Sequence, residues 1–264
     1  MLQKKSFLNR QSTAVTLLIN GTSIDEMARL ARAGEADGAD GIAIEIGQLP
    51  PEERTEENFA RLINAVHLPF MFILYRNDKW GLGDDERQQY LLAAARAGAE
   101  VIDVMGDLYA PAEYELATDP AAIEKQKALI REIHEIGAKV IMSSHIYTQA
   151  RTAEEVLAHM KEQSSRGADI LKLVITVNTE EEFQEVIRTA MILNKEIEKP
   201  FVFLSGGKYG RIHRFLGTLM GNSITFAVHD YTPPSPPFSQ PTIKAFKNVM
   251  NNIHWHLDDV QDKS

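Results

Sequence analysis

The chain has 264 residues, of which 44% are hydrophobic and 25% are charged, a composition typical of a globular protein with one large core. It has no cysteine, which excludes disulfides, thiolate metal sites and cysteine nucleophiles. The net charge of -9, without any run rich in lysine and arginine, argues against nucleic-acid binding. The first apolar run, STAVTLLIN, is too short for a membrane span or a signal sequence, so we expect a cytoplasmic protein.

Apolar runs rich in β-branched residues recur roughly every 30 residues along the chain, and segments with helical periodicity separate them. This alternation predicts repeated βα units that feed a parallel sheet. Four glycines stand where helices should end, just before the next strand. The predicted strands cover residues 13–20, 41–47, 70–76, 101–106, 139–145, 170–176, 201–207 and 223–229, the predicted helices include 23–33, 84–97, 120–136, 153–166, 181–198 and about 240–257, and the glycines are Gly38, Gly98, Gly137 and Gly167.

The predicted strands are almost unbroken hydrophobic runs, which indicates that both of their faces are buried. The first strand is followed by NGTSID and not by the G-x-G-x-x-G of a dinucleotide-binding fold. We therefore predict an α/β protein with a single (β/α)8 TIM-barrel domain over residues 1–264.

Five of the predicted strands carry an ionisable residue at a similar depth. These residues are Glu45, Arg76, Asp103, His145 and Lys172. Active sites of (β/α)8 barrels lie at the C-terminal ends of the strands, and a buried charge is costly unless it is paired or used. The five residues are therefore candidates for one active site.

Lys172 has aliphatic neighbours on both sides in DILKLVIT, so its ammonium group should be poorly solvated. Burial lowers the pKa of a lysine and yields an amine that can attack a ketone. The alternative is a lysine that reaches outward or pairs with a carboxylate such as Asp169. The strand alone favours neither interpretation.

His145 ends the strand before Lys172, and Asp103 lies in the strand before that. An imidazole beside a lysine iminium can remove an α-proton and later protonate a leaving hydroxyl group. Asp103 could hold the imidazole in one tautomer, or it could be a structural partner of Lys172 or of an arginine. Glu45 and Arg76 could likewise form a structural ion pair across strands 2 and 3.

Two later segments add a candidate anion site and a candidate lid. SGGKYGRIHRFLG offers a glycine-rich turn followed by basic residues, which suits the binding of an anion by Arg214, although a plain turn into a helix is equally compatible. HDYTPPSPPFSQP is long and rich in proline, and it either folds over the barrel mouth or forms a rigid surface connection.

Together these segments resemble type I 3-dehydroquinate dehydratase of the shikimate pathway over nearly the whole chain. MSSHIYTQ resembles the family's Ser-x-His-Asp-Phe segment, which maps the general acid/base onto His145. GADILKLVIT resembles its Ala-Asp-x-x-Lys-x-Ala segment, which maps the Schiff-base lysine onto Lys172. The spacing of LSGGKYGRIHRFLG maps the carboxylate-binding arginine onto Arg214, FILYR maps the strand-3 arginine onto Arg76, and the carboxylate that orients the histidine maps onto Asp103.

The resemblance extends to the lid and implies the rest of the site. The family's Ser-x-Pro-x-Gln segment is matched loosely, by Ser235 or by Ser239, together with Gln240. With Glu45 these residues complete the implied substrate-binding set. The resemblance further implies a small carboxylate substrate, no metal or organic cofactor, and a homodimer.

Two departures from the family lie on strands 2 and 3. Where the family has Glu-x-Arg, this chain has Glu45-Ile46-Gly47, so one hydroxyl-binding arginine is missing. The family's loop glutamate aligns ambiguously with Asp84, Asp85 or Glu86. Three hypotheses follow: 3-dehydroquinate dehydratase, a divergent lyase or aldolase with the same chemistry on a related oxo acid, and a barrel that binds an anion without turnover.

Overall fold

The computed structural model describes residues 6–8, 12–231, 240–253, 255 and 257, and its centre is a barrel of eight parallel strands surrounded by helices. The strands are β1 (Ala14–Asn20), β2 (Gly41–Glu45), β3 (Phe70–Ile73), β4 (Val101–Met105), β5 (Lys139–Ile146), β6 (Ile170–Thr176), β7 (Phe201–Gly206) and β8 (Ile224–Ala227). The helices are α1 (Ile24–Ala36), α2 (Glu56–Ile63), α3 (Asp84–Arg96), α4 (Pro120–Ile136), α5 (Ala153–Ser165), α6 (Glu180–Glu196), α7 (Gly210–Leu219) and α8 (Ile243–Met250).

The strands are hydrogen-bonded in the order β7-β6-β5-β4-β3-β2-β1-β8, so β1 pairs with both β2 and β8. At the seam between β7 and β8, the backbone N–H of Ser223 donates to the carbonyl of Phe201 at 2.9 Å. The barrel is thus nearly closed, and the predicted (β/α)8 class is confirmed.

The predicted element types are confirmed, while several boundaries move. The third strand ends at Ile73 and not at residue 76, and the last helix covers only Ile243–Met250 of the predicted 240–257. The four glycines predicted to end helices all have left-handed φ angles, between 90° and 103°, which is the conformation that favours glycine.

Side chains alternate along each strand between the barrel interior and the layer beneath the helices. One buried cluster fills the interior and includes Met71 and Ile73 of β3, Ile141 of β5 and Val174 of β6. A second, larger cluster joins the other faces of the strands to the helices. Because successive side chains point to opposite faces, Tyr75 continues the interior side of β3. In the part of the chain that the structure describes, no helix is long and apolar enough to cross a membrane.

Candidate active site

A cavity of about 310 Å³ opens at the C-terminal ends of the barrel strands. Aliphatic and aromatic side chains from β1, β3, β6, β7 and β8 form part of its wall. This is the end of the fold where (β/α)8 enzymes place their catalytic groups. The polar residues along its wall include Glu45, Asn77, His145, Lys172, Arg214 and Gln240, together with the tyrosines Tyr75 and Tyr147.

Lys172 lies inside the barrel, with only 4% of its surface exposed. Desolvation lowers the pKa of its ammonium group, and nearby Arg214 acts in the same direction, while Asp103 and Glu115 oppose them. The net result is an amine with a pKa below the ordinary lysine value. Such an amine exists more readily in the neutral, nucleophilic form.

The hydroxyl group of Tyr75, a residue that no sequence pattern indicated, binds the ammonium group of Lys172. Its Nζ donates to Tyr75 Oη at 2.8 Å, and Tyr75 Oη donates to Asp103 Oδ2 at 2.9 Å. The direct separation between Lys172 Nζ and Asp103 Oδ2 is longer, at 3.5 Å. Ser143, which is paired in register with Lys172, donates to the other oxygen of Asp103.

His145 faces the same cavity and is held by Glu115. One carboxylate oxygen of Glu115 accepts from the backbone N–H of His145 at 2.7 Å and lies 3.0 Å from the imidazole Nδ1. Because a carboxylate accepts, Nδ1 carries the proton, and Nε2 of the neutral ring is left as the base. Nε2 lies 3.5 Å from the hydroxyl of Tyr75.

The electrostatics of the pair keep His145 neutral and Glu115 ionised. Burial and the charge of Lys172 lower the pKa of His145, although Glu115 and Asp103 oppose this shift. Burial raises the pKa of Glu115, but its hydrogen bonds from His145 and the charge of Lys172 outweigh burial and lower it overall. The histidine is therefore a base near neutral pH.

The prediction that Asp103 orients the histidine is corrected here. The oxygens of Asp103 accept from Tyr75 and Ser143, and the hydrogen bond to the imidazole Nδ1 comes from Glu115 in the β4–α4 loop. Sequence reasoning missed Glu115 because it lies in an irregular loop, where no periodicity assigns a direction to a side chain. Its left-handed backbone, with φ at 47°, is unusual for a residue other than glycine and typical of functional loops.

The loop that carries Glu115 is anchored to the barrel at several points. The hydroxyl of Ser144 donates to the carbonyl of Glu115 at 2.7 Å, and Arg166 donates to the carbonyl of Ala117 at 2.6 Å. A Cβ on Gly106, directly after β4, would clash with the Glu115 carbonyl. Glycine at this position therefore lets the loop fold back against the strand.

Arg214 supplies a buried cation that lines the cavity. It lies on α7 with 6% of its surface exposed, and its Nε and Nη1 atoms have no hydrogen-bond acceptor among the residues that the structure describes. Desolvation lowers the pKa of its guanidinium group to about 10, so it remains charged at neutral pH. A buried charge without a partner is costly, and an anionic ligand would satisfy it.

The opposite side of the cavity, formed by β2 and the segment after β3, contributes fewer charges. Glu45 accepts from Asn20 at 3.3 Å, and burial raises the pKa of its carboxyl group despite the nearby Lys172 charge. Asn77 lies on the same wall. Gly47 has ordinary space beside it, because a Cβ there would lie 3.5 Å from the nearest atoms, which belong to Glu45 and Asp78.

Arg76 does not line the cavity, which corrects its expected placement. Its guanidinium binds the side chain of Asp107 at 2.7 Å and the Asp107 carbonyl at 2.6 Å, and it lies 3.4 Å from Asp84. The physical reason is that β3 ends at Ile73: Tyr75 still lines the cavity, whereas Arg76 begins a turn and its side chain extends to Asp107.

The three residues that align with the family's loop glutamate either bind other protein groups or are exposed to solvent. Asp84 binds Arg76, Arg87 and the backbone N–H of Tyr109. Asp85 pairs with Lys125 on the surface, and Glu86 is exposed at the start of α3. None of the three lines the cavity.

Gln240 reaches the cavity from the segment that follows β8. The backbone N–H of Val228 donates to the carbonyl of Pro241 at 3.1 Å, which ties this segment to the end of β8 and places Gln240 on the cavity wall. The predicted Ser235, and its alternative Ser239, lie outside the described residues.

The arrangement can support covalent chemistry on a carboxylated ketone. A buried amine and a neutral imidazole lie on neighbouring strands, and a buried guanidinium lines the same cavity. A ketone could react with Lys172 while Arg214 holds a carboxylate and His145 exchanges a proton.

Comparison with known proteins points to one family. The family model described as "Type I 3-dehydroquinase" matches residues 15–256 of the chain. A curated 3-dehydroquinate dehydratase of Alkaliphilus oremlandii is 36% identical over 145 residues, which cover 54% of this chain and 54% of that protein. The 3-dehydroquinate dehydratase of Klebsiella pneumoniae subsp. pneumoniae is 26% identical over 224 residues, which cover 81% of this chain and 84% of that protein.

Solved structures agree on the fold. The crystal structure of 3-dehydroquinate dehydratase from Geobacillus kaustophilus superposes with a TM-score of 0.77 at 20% identity and covers 92% of both chains. The chain thus spans about half the length of the first curated relative in sequence and nearly all of a solved structure in fold.

Proposed function

Because the chain belongs to the type I 3-dehydroquinase family, we propose that it is a lyase that dehydrates 3-dehydroquinate to 3-dehydroshikimate through a Schiff base on Lys172. One observation carries this proposal: a buried amine, a neutral imidazole and a buried guanidinium line a single cavity, and two of the guanidinium nitrogens have no acceptor among the described residues. The three groups match the three tasks of the reaction, which are covalent activation, proton transfer and binding of a carboxylate.

In the proposed mechanism the neutral amine of Lys172 attacks the ring ketone, and loss of water gives an iminium that withdraws electrons from the adjacent carbon. His145 Nε2 removes a proton from that carbon, while Glu115 stabilises the imidazolium through Nδ1. The enamine expels the β-hydroxyl group as His145 returns the proton. Water then releases the unsaturated ketone from Lys172.

Arg214 binds the substrate carboxylate, and Gln240 contributes from the segment after β8. Glu45 and Asn77 face the part of the cavity where ring hydroxyl groups would lie. Ser235 stays a predicted substrate contact. The proposal involves no metal or organic cofactor, because the iminium formed on Lys172 is the electron sink.

Borohydride trapping tests this function. The protein is incubated with 3-dehydroquinate and sodium borohydride, and the position of any added mass is found by peptide mapping. We expect reduction of the ligand onto Lys172, together with measurable turnover of 3-dehydroquinate. The proposal is overturned if Lys172→Ala keeps full dehydratase activity or if no adduct forms on the wild-type chain.

A second candidate function is the same iminium chemistry on a related oxo acid. The observation that favours it is the composition of the cavity wall on the β2 and β3 side, where Glu45, Tyr75 and Asn77 stand and where the described residues contribute no arginine. Gly47 follows Glu45 by two residues and adds no side chain there. Losing a donor that reads a hydroxyl group weakens discrimination between substrates that differ there. Comparing kcat/KM for 3-dehydroquinate with that for simpler β-hydroxy-ketone acids separates the two candidates.

The third hypothesis, a barrel that binds an anion without turnover, gives no reason for a nucleophile and a base beside the anion site. A homodimer and a cytoplasmic location stay predictions, which rest on the resemblance and on composition. Light scattering after size-exclusion chromatography tests the first, and fractionation of cells tests the second.

A further inference from the structure

Tyr75 is the group in contact with Lys172 that the proposed mechanism leaves without a task. Its hydroxyl accepts from Lys172 Nζ at 2.8 Å and donates to Asp103 Oδ2 at 2.9 Å, both ordinary hydrogen-bond lengths. The direct Lys172–Asp103 separation of 3.5 Å is too long for a good charge-assisted hydrogen bond. The phenol therefore bridges the amine and the carboxylate.

We propose that Tyr75 is a catalytic residue that relays protons between Lys172 and Asp103 while the iminium forms. The inference rests on the proposed Schiff-base function and assigns it a further residue. In the first step the Lys172 ammonium passes one proton to Tyr75 Oη as the phenol proton passes to Asp103. The result is a neutral amine, a neutral phenol and a protonated carboxyl group.

The relay also supplies the proton that the second half of iminium formation needs. The amine attacks the ketone and forms a carbinolamine after one proton moves from nitrogen to the new oxygen. The Asp103 proton then returns through Tyr75 to that hydroxyl group, which leaves as water when the C–O bond breaks and the C=N bond forms. Both hydrogens of the water come from the Lys172 ammonium, so the resting charges of Asp103 and Tyr75 are restored.

The surroundings of Tyr75 favour proton transfer through a neutral hydroxyl group and disfavour a phenolate base. Burial and the neighbouring Asp103 charge raise the pKa of the phenol well above its usual value, so the hydroxyl exchanges one proton for another and does not ionise. Ser143 donates to the other oxygen of Asp103 and fixes the carboxylate. The ring of Tyr75 packs edge-on against His145, with centroids 5.0 Å apart, which holds the hydroxyl in place.

The test compares Tyr75→Phe with the wild type in a rapid-quench experiment with 3-dehydroquinate and borohydride. The variant keeps the ring and loses only the hydroxyl group. We expect the rate at which the adduct appears on Lys172 to fall by about 10²-fold, which is typical of the loss of a positioned proton donor and acceptor. KM should change much less than the trapping rate.

Tyr90→Phe is the matched control. It removes the hydroxyl group of a tyrosine on α3 that packs on Arg54, and this variant should form the adduct at the wild-type rate.

A proton inventory of the wild-type trapping rate gives a readout that does not depend on the variant folding. With two protons in flight, the rate should curve downward against the fraction of D₂O, and Tyr75→Phe should make the dependence linear. An unchanged trapping rate in a folded Tyr75→Phe variant, or a linear inventory in the wild type, overturns the relay alone. If the wild-type chain forms no adduct, the proposed function and the relay both fail.

Discussion

The two halves of the barrel mouth are built differently. On the side of β4, β5 and β6, the polar side chains Asp103, Ser143, His145 and Lys172 hydrogen-bond with one another or with Tyr75 and Glu115. On the side of β2 and the segment after β3, Glu45 and Asn77 line the cavity, whereas Arg76 binds protein carboxylates and does not line it. The first side, which we call the chemical side after the proposed function, is connected by hydrogen bonds, whereas the second side presents fewer polar groups to the cavity.

This difference separates the reaction from its specificity. A connected network fixes protonation states and geometry, and so it specifies which bonds can be made. A wall with fewer fixed donors specifies less about which hydroxyl groups a substrate carries. We therefore expect substitutions on the first side to change the rate of chemistry and substitutions on the second to change the preference among substrates.

Replacing Lys172 should have the largest effect. Lys172→Ala removes the nucleophile, and we expect kcat to fall on the order of 10⁵-fold, as for other catalysts that act through a covalent group. Lys139→Ala changes a lysine at the opposite end of the barrel, which is 47% exposed, and should leave activity unchanged. Steady-state turnover measures both. Retention of more than a few per cent of the activity in Lys172→Ala would contradict the covalent role.

Glu115→Gln and Asp103→Asn distinguish the two carboxylates of the chemical side. Glu115→Gln removes the anion that stabilises protonated His145, so the pKa of His145, already lowered by burial and Lys172, should fall further. The acidic limb of kcat/KM should then move to lower pH. A less basic imidazole should also lower kcat by about 10² to 10³-fold.

Asp103→Asn should act on a different step. Borohydride trapping should slow, because Tyr75 loses its proton acceptor, while the acidic limb should move less than in Glu115→Gln. Kinetics across pH, with an NMR titration of His145, measure the contrast. A larger shift of the limb in Asp103→Asn would favour the original expectation that Asp103 orients the histidine.

The two arginines provide the next contrast. Arg214→Met removes the buried cation of the cavity and should lower kcat/KM by about 10²-fold, the value of a charge-assisted pair with a substrate carboxylate, with little loss of stability. Arg76→Met instead leaves the buried Asp107 without its cation and should lower the free energy of unfolding by about 1–3 kcal/mol, with a smaller change in kcat/KM.

Urea unfolding and steady-state kinetics of Arg214→Met and Arg76→Met test these two expectations. Arg76 keeps 26% of its side chain exposed, so part of the lost ion pair is replaced by water. If Arg76→Met raised KM more than Arg214→Met did, the expected carboxylate role of Arg76 would be restored and the division between the two sides would fail.

The sequence predicted the barrel because each strand is a largely hydrophobic run of the right length and four helices are followed by glycine. It also singled out Lys172, His145 and Asp103 as candidates for one site, since ionisable residues inside such runs are conspicuous, although it assigned to Asp103 the contact with His145 that Glu115 makes. It misplaced Arg76 because residues 70–75 are apolar or aromatic on both faces of β3, so nothing in the pattern reveals which residues face the interior. Tyr75 passed unnoticed for the same reason.

Glu115 could not be assigned from the sequence for a different reason. Its side chain reaches His145 through a loop whose path depends on tertiary contacts, among them the hydrogen bonds from Ser144 and Arg166. These partners are 29 and 49 residues away from the loop residues that they bind. Local patterns carry no record of such contacts.

The smallest expected effect tests the second side directly. Gly47→Arg places a cation next to Glu45, and the backbone accepts a side chain there because Gly47 does not have a left-handed φ and a Cβ meets only ordinary contacts at 3.5 Å. If hydroxyl groups of 3-dehydroquinate lie there, one added charged hydrogen bond should lower KM by about tenfold, which corresponds to roughly 1.5 kcal/mol. Gly47→Met, of similar length without charge, is the control for bulk.

Because a carboxylate oxygen of Glu45 lies 3.5 Å from the point where a Cβ on residue 47 would stand, Glu45 can pair with the new guanidinium and orient it. A gain for 3-dehydroquinate alone would identify the β2 wall as the region that reads ring hydroxyl groups, whereas an equal gain for oxo acids without them would place only a general electrostatic attraction there.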